Sequence, residues 1–223
     1  MGKKKQITVR RAEQGDIDAL VRICRECFPA SVKWQSGFFA RKFWSSALRF
    51  PSSETWIWLV NDQAAGFSQI VIDEGAWAEE KRERGVGLAP LLLALVTHPR
   101  LIVLKIKKKI QLARHEDRRE TQSGIRAEPG KRIWVERVAI LPYYRKLGLA
   151  LQIMNFSEER AMSLGRHAIR GVIEVINEPW CWLHERFGYV VTRSRPGLYT
   201  YTKILGSEKR VKESKGKDIE YTN

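Results

Sequence analysis

The chain has 223 residues, 43% of them hydrophobic and 29% charged, which suits one domain, or one domain with a large insertion. This composition excludes a collagen-like, fibrous or wholly disordered protein. Forty lysines and arginines against 25 aspartates and glutamates give a net charge of +15, which favours negatively charged partners.

The basic residues are spread along the chain and are not confined to one arm. The charge alone therefore does not indicate a nucleic-acid-binding module. No apolar segment typical of a signal peptide follows the first methionine, and charged residues and a proline interrupt the longest apolar run, Gly87 to Ile106. Since a membrane span needs about 20 apolar residues, we expect no membrane span and a cytoplasmic protein.

Alternating and helical hydrophobic patterns define the first half of the chain. The predicted elements are a strand at Ile7–Arg11, a helix capped by Asp16 and running to about Phe28, one or two helices within Trp34–Phe50, and strands at Glu54–Asp62 and Ala64–Asp73 joined by a tight turn at Asn61-Asp62-Gln63.

The three cysteines, an odd number, argue against a disulfide framework. Cys24 and Cys27 form a single C-x-x-C, and the four histidines are too scattered to supply the second ligand pair of a zinc site. Both thiols lie on or beside the apolar stripe of the first predicted helix. We expect them to pack there, as free cysteines usually do, and predict no metal site.

The segment 76–130 is predicted to be an insertion of helices and loops. Pro90–Val96 is an apolar helix candidate, and Arg100–Glu120 is a longer one whose isoleucines, including Ile106 and Ile110, share one face. We expect the longer helix to pack on the core with its lysines in water. A lid over a substrate and a helix on a membrane surface are the alternatives. Thr121–Lys131 is predicted to be a mobile loop.

The second half alternates strands and helices, which indicates a mixed α/β fold. The predicted elements are a strand at Ile133–Leu141, a helix at Leu147–Leu164 stopped by Gly165, a strand at Ala168–Ile176, a short helix at Trp180–Phe187, and strands at Tyr189–Arg193 and Leu198–Ile204. Residues 207–223 have no core-forming pattern and are predicted to be a disordered polar tail.

A turn that is suited to hold phosphate lies at Arg145-Lys-Leu-Gly-Leu-Ala150, between a predicted strand and a predicted helix. The first N–H groups of a helix have no internal partner and carry partial positive charge. A pyrophosphate can bind there, with added charge from Arg145 and Lys146, and Gly148 and Ala150 have little bulk to keep it away. Alone, the six-residue pattern also fits an ordinary basic helix start.

In its context this turn resembles the phosphate-binding motif Q/R-x-x-G-x-G/A of the GNAT superfamily, the acyl-CoA-dependent N-acetyltransferases. The run Asn177–Tyr189 is similar to a second family block, N-x-x-A-x-x-L/F-Y-x-x-x-G-F, and is in register with it at Asn177, Leu183 and Gly188. The opening strand, Gly-Asp turn and helix also resemble the start of the family. The resemblance covers about residues 7–75 and 131–205.

The resemblance implies a fold with a mostly antiparallel central sheet, splayed at its middle and flanked by helices, in one N-acetyltransferase domain over residues 1–206. It implies acetyl-CoA as cosubstrate and a small-molecule or peptide amine that attacks the thioester directly; a homodimer is left open. The main chain of one strand would pair with the pantetheine arm. The cofactor-binding residues that it implies are Val138, Ala139, Ile140, Arg145, Lys146, Leu147, Gly148, Leu149, Ala150 and Asn177.

Acetylation of an amine also needs a base, because a lysine-like amine has a pKa of about 10.4. Members of the similar family sometimes carry a glutamate at the position of Glu136, which alternates with Val138 and Ile140. A regular strand would place these three side chains on one face, so that Glu136 reaches the acceptor beside the thioester. A salt bridge to a neighbouring arginine is the alternative, and Glu174 is a reserve candidate for the base.

Two departures from the family pattern concern the leaving group. His184 stands where many members have the tyrosine that protonates the thiolate. It either supplies that proton as an imidazolium or packs as a histidine with its polar atoms satisfied. Trp180 replaces a small residue and would reshape the pantetheine channel.

The acceptor is less constrained by the sequence. Asp73 and Glu74, at the end of the predicted hairpin, are candidates for holding a cationic acceptor, whereas the basic insertion suits an acidic or phosphorylated one. A protein that binds acyl-CoA as a sensor, without catalysis, is the alternative function. A nucleic-acid binder is a third class that only the net charge supports.

Overall fold

The computed structural model describes residues 5–83 and 130–206, with isolated positions at 103, 106, 107, 110, 119, 121, 122 and 128. The strands in this part are β1 (Ile7–Arg11), β2 (Ser53–Val60), β3 (Gln63–Val71), β4 (Arg132–Ile140), β5 (Ala168–Glu174), β6 (Val190–Arg195) and β7 (Leu198–Ile204). The α-helices are α1 (Ile17–Cys27), α2 (Val32–Gln35), α3 (Gly37–Ala47), α4 (Glu74–Glu83), α5 (Leu149–Ser163) and α6 (Glu178–Arg186).

The seven strands form one sheet in the order β1-β2-β3-β4-β5-β7-β6. All neighbouring pairs are antiparallel except β4 and β5, which are parallel. The predicted mixed, mostly antiparallel fold flanked by helices is thus confirmed. The β2–β3 turn is also as predicted, since Asn61 and Asp62 have the positive φ angles, 49° and 62°, that two-residue hairpin turns require.

The sheet divides at its parallel pair. β4 and β5 are paired at only four positions, from Arg132 beside Ala168 to Val135 beside Gly171. Beyond these, β4 continues to Ile140 along β3, and β5 continues to Glu174 along β7. We call this divergence the fork. Beyond Val135 and Gly171, the facing edges of β4 and β5 therefore do not hydrogen-bond to each other.

Helices cover both faces of the sheet. Ile57, Phe67 and Ala139 pack with α1 and α3 in one core cluster, and we call this side the α3 face. Trp58 and Ile140 pack with the start of α5 in another cluster, on what we call the α5 face. Because successive strand residues alternate between faces, these two clusters show which way each side chain of β2 to β4 points.

The structure corrects the predicted cap of the first helix and defines the start of the insertion. The carboxylate of Asp16 makes no capping bond to α1; it accepts hydrogen bonds from Arg10 (2.7 Å) and from the Glu13 N–H (2.8 Å). Residues 74–83 form α4, because the Asp73 carboxylate accepts a hydrogen bond from the Ala76 N–H (3.0 Å) and so caps a helix at this position.

The insertion and the tail fall mostly outside the described residues. These include the helix candidate at Pro90–Val96, most of Arg100–Glu120 and of the predicted loop, and the tail 207–223. Two described positions contradict packing of the longer helix on the core, since Ile106 is 53% exposed and Ile110 is 47% exposed. Among the described helices, none combines the length and the apolar character that a membrane span requires.

Candidate active site

A cleft of about 780 Å³ opens beside the fork, which is within the usual range for small-molecule sites. It lies between the end of β4, the end of α1 and the beginnings of α5 and α6. The residues that line it are Cys27, Phe28, Val138, Ala139, Ile140, Arg145, Ala150, Asn177, Glu178, Pro179, Trp180, Trp182 and Leu183.

The turn before α5 has the backbone that the sequence pattern suggests. A 3-10 helix spans Pro142–Leu147, and Gly148 follows with φ 72° and ψ 11°. This left-handed conformation costs other residues about 1–2 kcal/mol, which explains glycine at this position. α5 then begins at Leu149, so its first N–H groups have no partner within the helix. The Arg145 Nε–H donates to the carbonyl of Ile140 (3.1 Å) and so ties the turn to the end of β4.

The structure brings six of the ten predicted cofactor-binding residues together on the cleft wall. These are Val138, Ala139, Ile140, Arg145, Ala150 and Asn177. The other four contribute differently: the side chain of Lys146 is exposed, Leu149 is buried in the core against β2 and β4, and Leu147 and Gly148 belong to the turn itself.

Several wall residues were not predicted from the sequence. Cys27 and Phe28 come from the end of α1, and Trp182 is 55% exposed on α6. The sequence signal for Trp182 is its position in the second family-like block. No sequence signal marks Cys27 and Phe28, because the approach of the end of α1 to β4 is a tertiary contact.

The cysteine thiols are protonated near neutral pH. Burial raises the pKa of Cys27, against the opposing charge of Arg145, and its Sγ–H donates to the carbonyl of Ile140 (3.3 Å). Burial raises the pKa of Cys24 to about 12. A thiol acts as a nucleophile only as thiolate, so neither residue is suited to a covalent mechanism. The described residues contain no group of side chains that could hold a metal ion.

A β-bulge decides where Glu136 points. In the β3–β4 pairing, Gln69 lies opposite Arg137 and Ile70 lies opposite Val135, so Glu136 is the extra residue. A bulge interrupts the alternation of faces. Glu136 and Arg137 therefore both lie on the α3 face, whereas Val138 and Ile140 lie on the α5 face. The expectation that Glu136 shares a face with Val138 and Ile140 is wrong for this reason.

The carboxylate of Glu136 is paired with three neighbouring side chains. Its Oε2 accepts a hydrogen bond from Trp77 Nε1 (2.7 Å), and its Oε1 forms ion pairs with Arg137 (2.6 Å) and Lys81 (4.0 Å). The side chain is only 7% exposed. The salt-bridge alternative thus describes its environment, and its contacts anchor α4 to β4.

His184 is buried beneath the cleft wall. Its Nδ1–H donates to the carbonyl of Trp180 (2.9 Å), and its ring packs against the rings of Tyr189 and Tyr201 at 4.9 and 5.3 Å. Burial lowers the pKa of His184 to about 4. Near pH 7 the imidazole is therefore neutral, with its one proton on Nδ1 and directed at Trp180. These contacts favour the packing alternative over a general acid.

The two acidic residues proposed for a cationic acceptor have other partners. Asp73 caps α4. Glu74 pairs with Arg132 (2.7 Å) and Arg170 (3.3 Å). The reserve base Glu174 ends β5 on the open side of the fork, and strand alternation puts it on the same face as Arg170.

Residues 110–189 match the family model of the acetyltransferase (GNAT) family. The matched segment contains β4, the glycine turn, α5, β5 and α6, which together build most of the cleft. No curated protein sequence matches the chain significantly.

Solved acetyltransferase structures share the fold at low sequence identity. An acetyltransferase from Thermus thermophilus has a TM-score of 0.57 and 9% identity, covering 90% of this chain and 97% of that one. YncA from Salmonella typhimurium, solved with acetyl-CoA, has a TM-score of 0.53 and 12% identity, covering 91% and 96%. PaiA N-acetyltransferase from Thermoplasma acidophilum, solved with coenzyme A, has a TM-score of 0.56 and 10% identity, covering 89% and 99%.

The forked sheet with a glycine turn beside the fork is the fold of these solved acetyltransferases. Within it, residues 110–189 are similar to the acetyltransferase (GNAT) family. The resemblance noted in the sequence is thereby confirmed.

Proposed function

We propose that the protein transfers an acetyl group from acetyl-CoA to a primary amine, which attacks the thioester directly within a ternary complex. The observation that carries this proposal is the cleft itself, which joins the fork to the glycine turn of α5. The YncA and PaiA structures, which hold acetyl-CoA and coenzyme A, support the same cosubstrate.

Three parts of the cleft would hold acetyl-CoA. The N–H groups at Gly148 to Ala150, with Arg145 beside them, suit the diphosphate. The edge of β4 at Val138 to Ile140, which β5 leaves at the fork, suits the amide groups of the pantetheine arm. Asn177, at the start of α6, supplies a side-chain amide on the opposite wall. The acetyl group would then reach the fork, where a main-chain N–H near Ile140 stabilises the developing oxyanion.

The base is assigned to Glu174. Glu136 is held by Trp77 and Arg137 on the α3 face, and only 7% of its side chain is exposed to a substrate. Glu174 stands on the β5 side of the fork, across the gap from the β4 edge. It takes the proton that the amine must lose, and the departing thiolate is protonated from solvent at the open cleft.

Calorimetric titration with coenzyme A tests the cosubstrate. Gly148→Asp places a carboxylate where the diphosphate would bind, and we expect at least a tenfold loss of affinity because like charges repel there. Gly165→Asp is the matched control, since Gly165 also has positive φ (64°) but ends α5 at the far side. Aspartate tolerates this backbone region, so both variants are expected to fold. No heat with the wild-type protein at millimolar coenzyme A would reject the proposal.

A further inference from the structure

A group of arginines occupies the α3 face of the C-terminal half of the sheet. Trp134 on β4 and Arg170 on β5 are direct neighbours in the sheet, and Arg132 precedes Trp134 by two residues on the same face. On the edge strand, Arg193 and Arg195 lie on this side as well, within electrostatic range of Arg170. We call Arg132, Arg170, Arg193 and Arg195 the basic patch.

Among the described residues, two carboxylates lie on this face with the four arginines, those of Glu74 and Glu174. The carboxylate of Glu74 is shared between Arg132, which contacts it at 2.7 and 3.2 Å, and Arg170 at 3.3 Å. Burial lowers the pKa of Arg170; Glu74 opposes this, and the neighbouring arginines lower the pKa further. Four arginines beside two carboxylates leave an excess of positive charge in the described part of this face, which favours the approach of an anion.

Two hydrogen-bond donors at the centre of the patch have no partner among the residues that the structure describes. The Nε of Arg170 and the Nε1 of Trp134 are both buried and unbonded, and the Arg170 guanidinium lies over the Trp134 ring at 5.3 Å. An unpaired buried donor costs about 1–3 kcal/mol. A guanidinium with a second N–H beside it is an arrangement that binds carboxylate or phosphate oxygens.

The two donors lie next to the fork, where the proposed reaction takes place. Arg170 is one residue before Gly171, the last position at which β5 pairs with β4. On the same face of β5, Val172 follows after about 7 Å and Glu174 after about 7 Å more. Arg170, the fork and the assigned base therefore lie in one line along β5.

We propose that the acceptor amine carries an oxyanion, a carboxylate or a phosphate, that binds at Arg170 and Trp134 while its amino group lies at the fork. This inference rests on the proposed function and adds the class of acceptor to it. A small anionic molecule fits better than a nucleic acid, because Arg170 is only 25% exposed at its side chain and a polymer backbone needs an accessible row of cations.

The first test measures the anion site itself. Inorganic phosphate and acetate are titrated calorimetrically into the full-length protein saturated with coenzyme A, so that the glycine turn is already filled. Arg170→Gln is expected to weaken binding about tenfold, the effect of losing a charged hydrogen bond, and Arg41→Gln, an exposed α3 arginine paired with Asp18, is expected to change nothing. The double variant Arg193→Gln/Arg195→Gln alters only exposed side chains and is expected to weaken binding without affecting folding. Equal binding by all variants would overturn the proposal.

The second test compares amines that differ only in the anion, such as phosphoethanolamine with ethanolamine and β-alanine with β-alaninamide. The anionic members should react with the higher kcat/KM, and Arg170→Gln should lower this preference about tenfold, mainly through KM. Turnover without any preference would reject the anionic acceptor alone, whereas absence of coenzyme A binding would reject the proposed function. If no amine in the panel reacts, the phosphate and acetate titrations decide. Retention of duplex DNA that Arg170→Gln abolishes would place a polymer on the patch and overturn the proposal.

Discussion

The buried imidazole of His184 makes the stability of the fold depend on pH. Its pKa falls from 6.5 to about 4 on folding because burial disfavours the charged form. Below pH 6.5 the unfolded chain therefore binds a proton that the folded chain does not, and the free energy of unfolding decreases as the pH falls towards 4. The loss should reach about 3 kcal/mol, as urea denaturation between pH 7 and pH 4 would measure.

The variant His184→Phe removes the titrating group and keeps a ring among Trp180, Tyr189 and Tyr201. We expect it to flatten this part of the pH dependence. His167→Gln, a histidine substitution at an exposed position, is the matched control. A slope that survives in His184→Phe would show that other groups cause it.

With Glu174 as the proposed base, substitutions of Glu174 and of Glu136 should have different effects on the kinetics. Glu174→Gln should lower kcat/KM about a hundredfold or more, the usual effect of losing a general base. Glu136→Gln should instead cost about 1–3 kcal/mol of stability by weakening contacts with Trp77 and Arg137, with a much smaller kinetic loss. The opposite result, a larger kinetic loss in Glu136→Gln, would return the base role to Glu136.

At the scale of elements, close contact between β3 and β4 holds β4, which lines the cleft, in place. A Cβ on Gly66 would lie 2.5 Å from the carbonyl oxygen of Ala139, and this backbone atom can move only if β4 moves. Gly66→Ala is therefore expected to lower stability by about 1–3 kcal/mol, as overpacking does. It should also weaken coenzyme A binding, because Ala139 and Ile140 line the cleft.

Gly171 on β5 is the matched control for this substitution. A Cβ there would meet only the side chain of His184, with Nε2 at 3.4 Å, which is close to ordinary contact. Gly171→Ala should keep stability and coenzyme A affinity near those of the wild type, as thermal denaturation and calorimetry would measure. Equal losses in both variants would mean that the β3–β4 contact has no special role.

The strands, the turn before α5 and the bulge at Glu136 differ in how well they could be predicted from the sequence. All seven strands and the turn before α5 could be predicted, because alternation, helix periodicity and glycine positions are local signals. The bulge at Glu136 could not, since one extra residue leaves the hydrophobic pattern almost unchanged and its evidence is the register with β3. The burial of His184 and the pairing of Glu74 with Arg170 likewise depend on contacts between distant segments.

At the scale of the whole molecule, α5 connects the two halves of the divided sheet. Arg160 on α5 binds Glu54 of β2 with hydrogen bonds of 2.8 and 2.6 Å. Glu158 on the same helix accepts from Lys203 of β7 at 2.8 and 2.7 Å. Since β4 and β5 pair at only four positions, these two ion pairs help to fix the width of the fork.

The two ion pairs should differ in strength because they differ in burial. Glu54 is 5% exposed, whereas Glu158 is 17% exposed and can regain water. Arg160→Leu leaves a buried carboxylate without its cation, which costs about 3–5 kcal/mol, and Lys203→Met should cost about 1 kcal/mol. Urea denaturation at pH 7 measures both losses, and equal losses would contradict this account.

The Arg160–Glu54 ion pair also predicts how the stability difference between the wild type and Arg160→Leu changes as the pH falls. Burial raises the pKa of Glu54, but hydrogen bonds from Arg160 and Trp56 and the charge of Arg160 outweigh it, so the pKa is lowered overall. The stability contributed by the pair is therefore present above the unfolded pKa, near 4.5, and is lost as the pH falls through the folded value. In Arg160→Leu the lowering disappears while burial remains. Protonation of Glu54 then relieves the buried charge in the variant. The difference in the free energy of unfolding between wild type and Arg160→Leu should therefore narrow below pH 4.5. A constant difference would show that the lost packing of Arg160 on Trp56 is the cause.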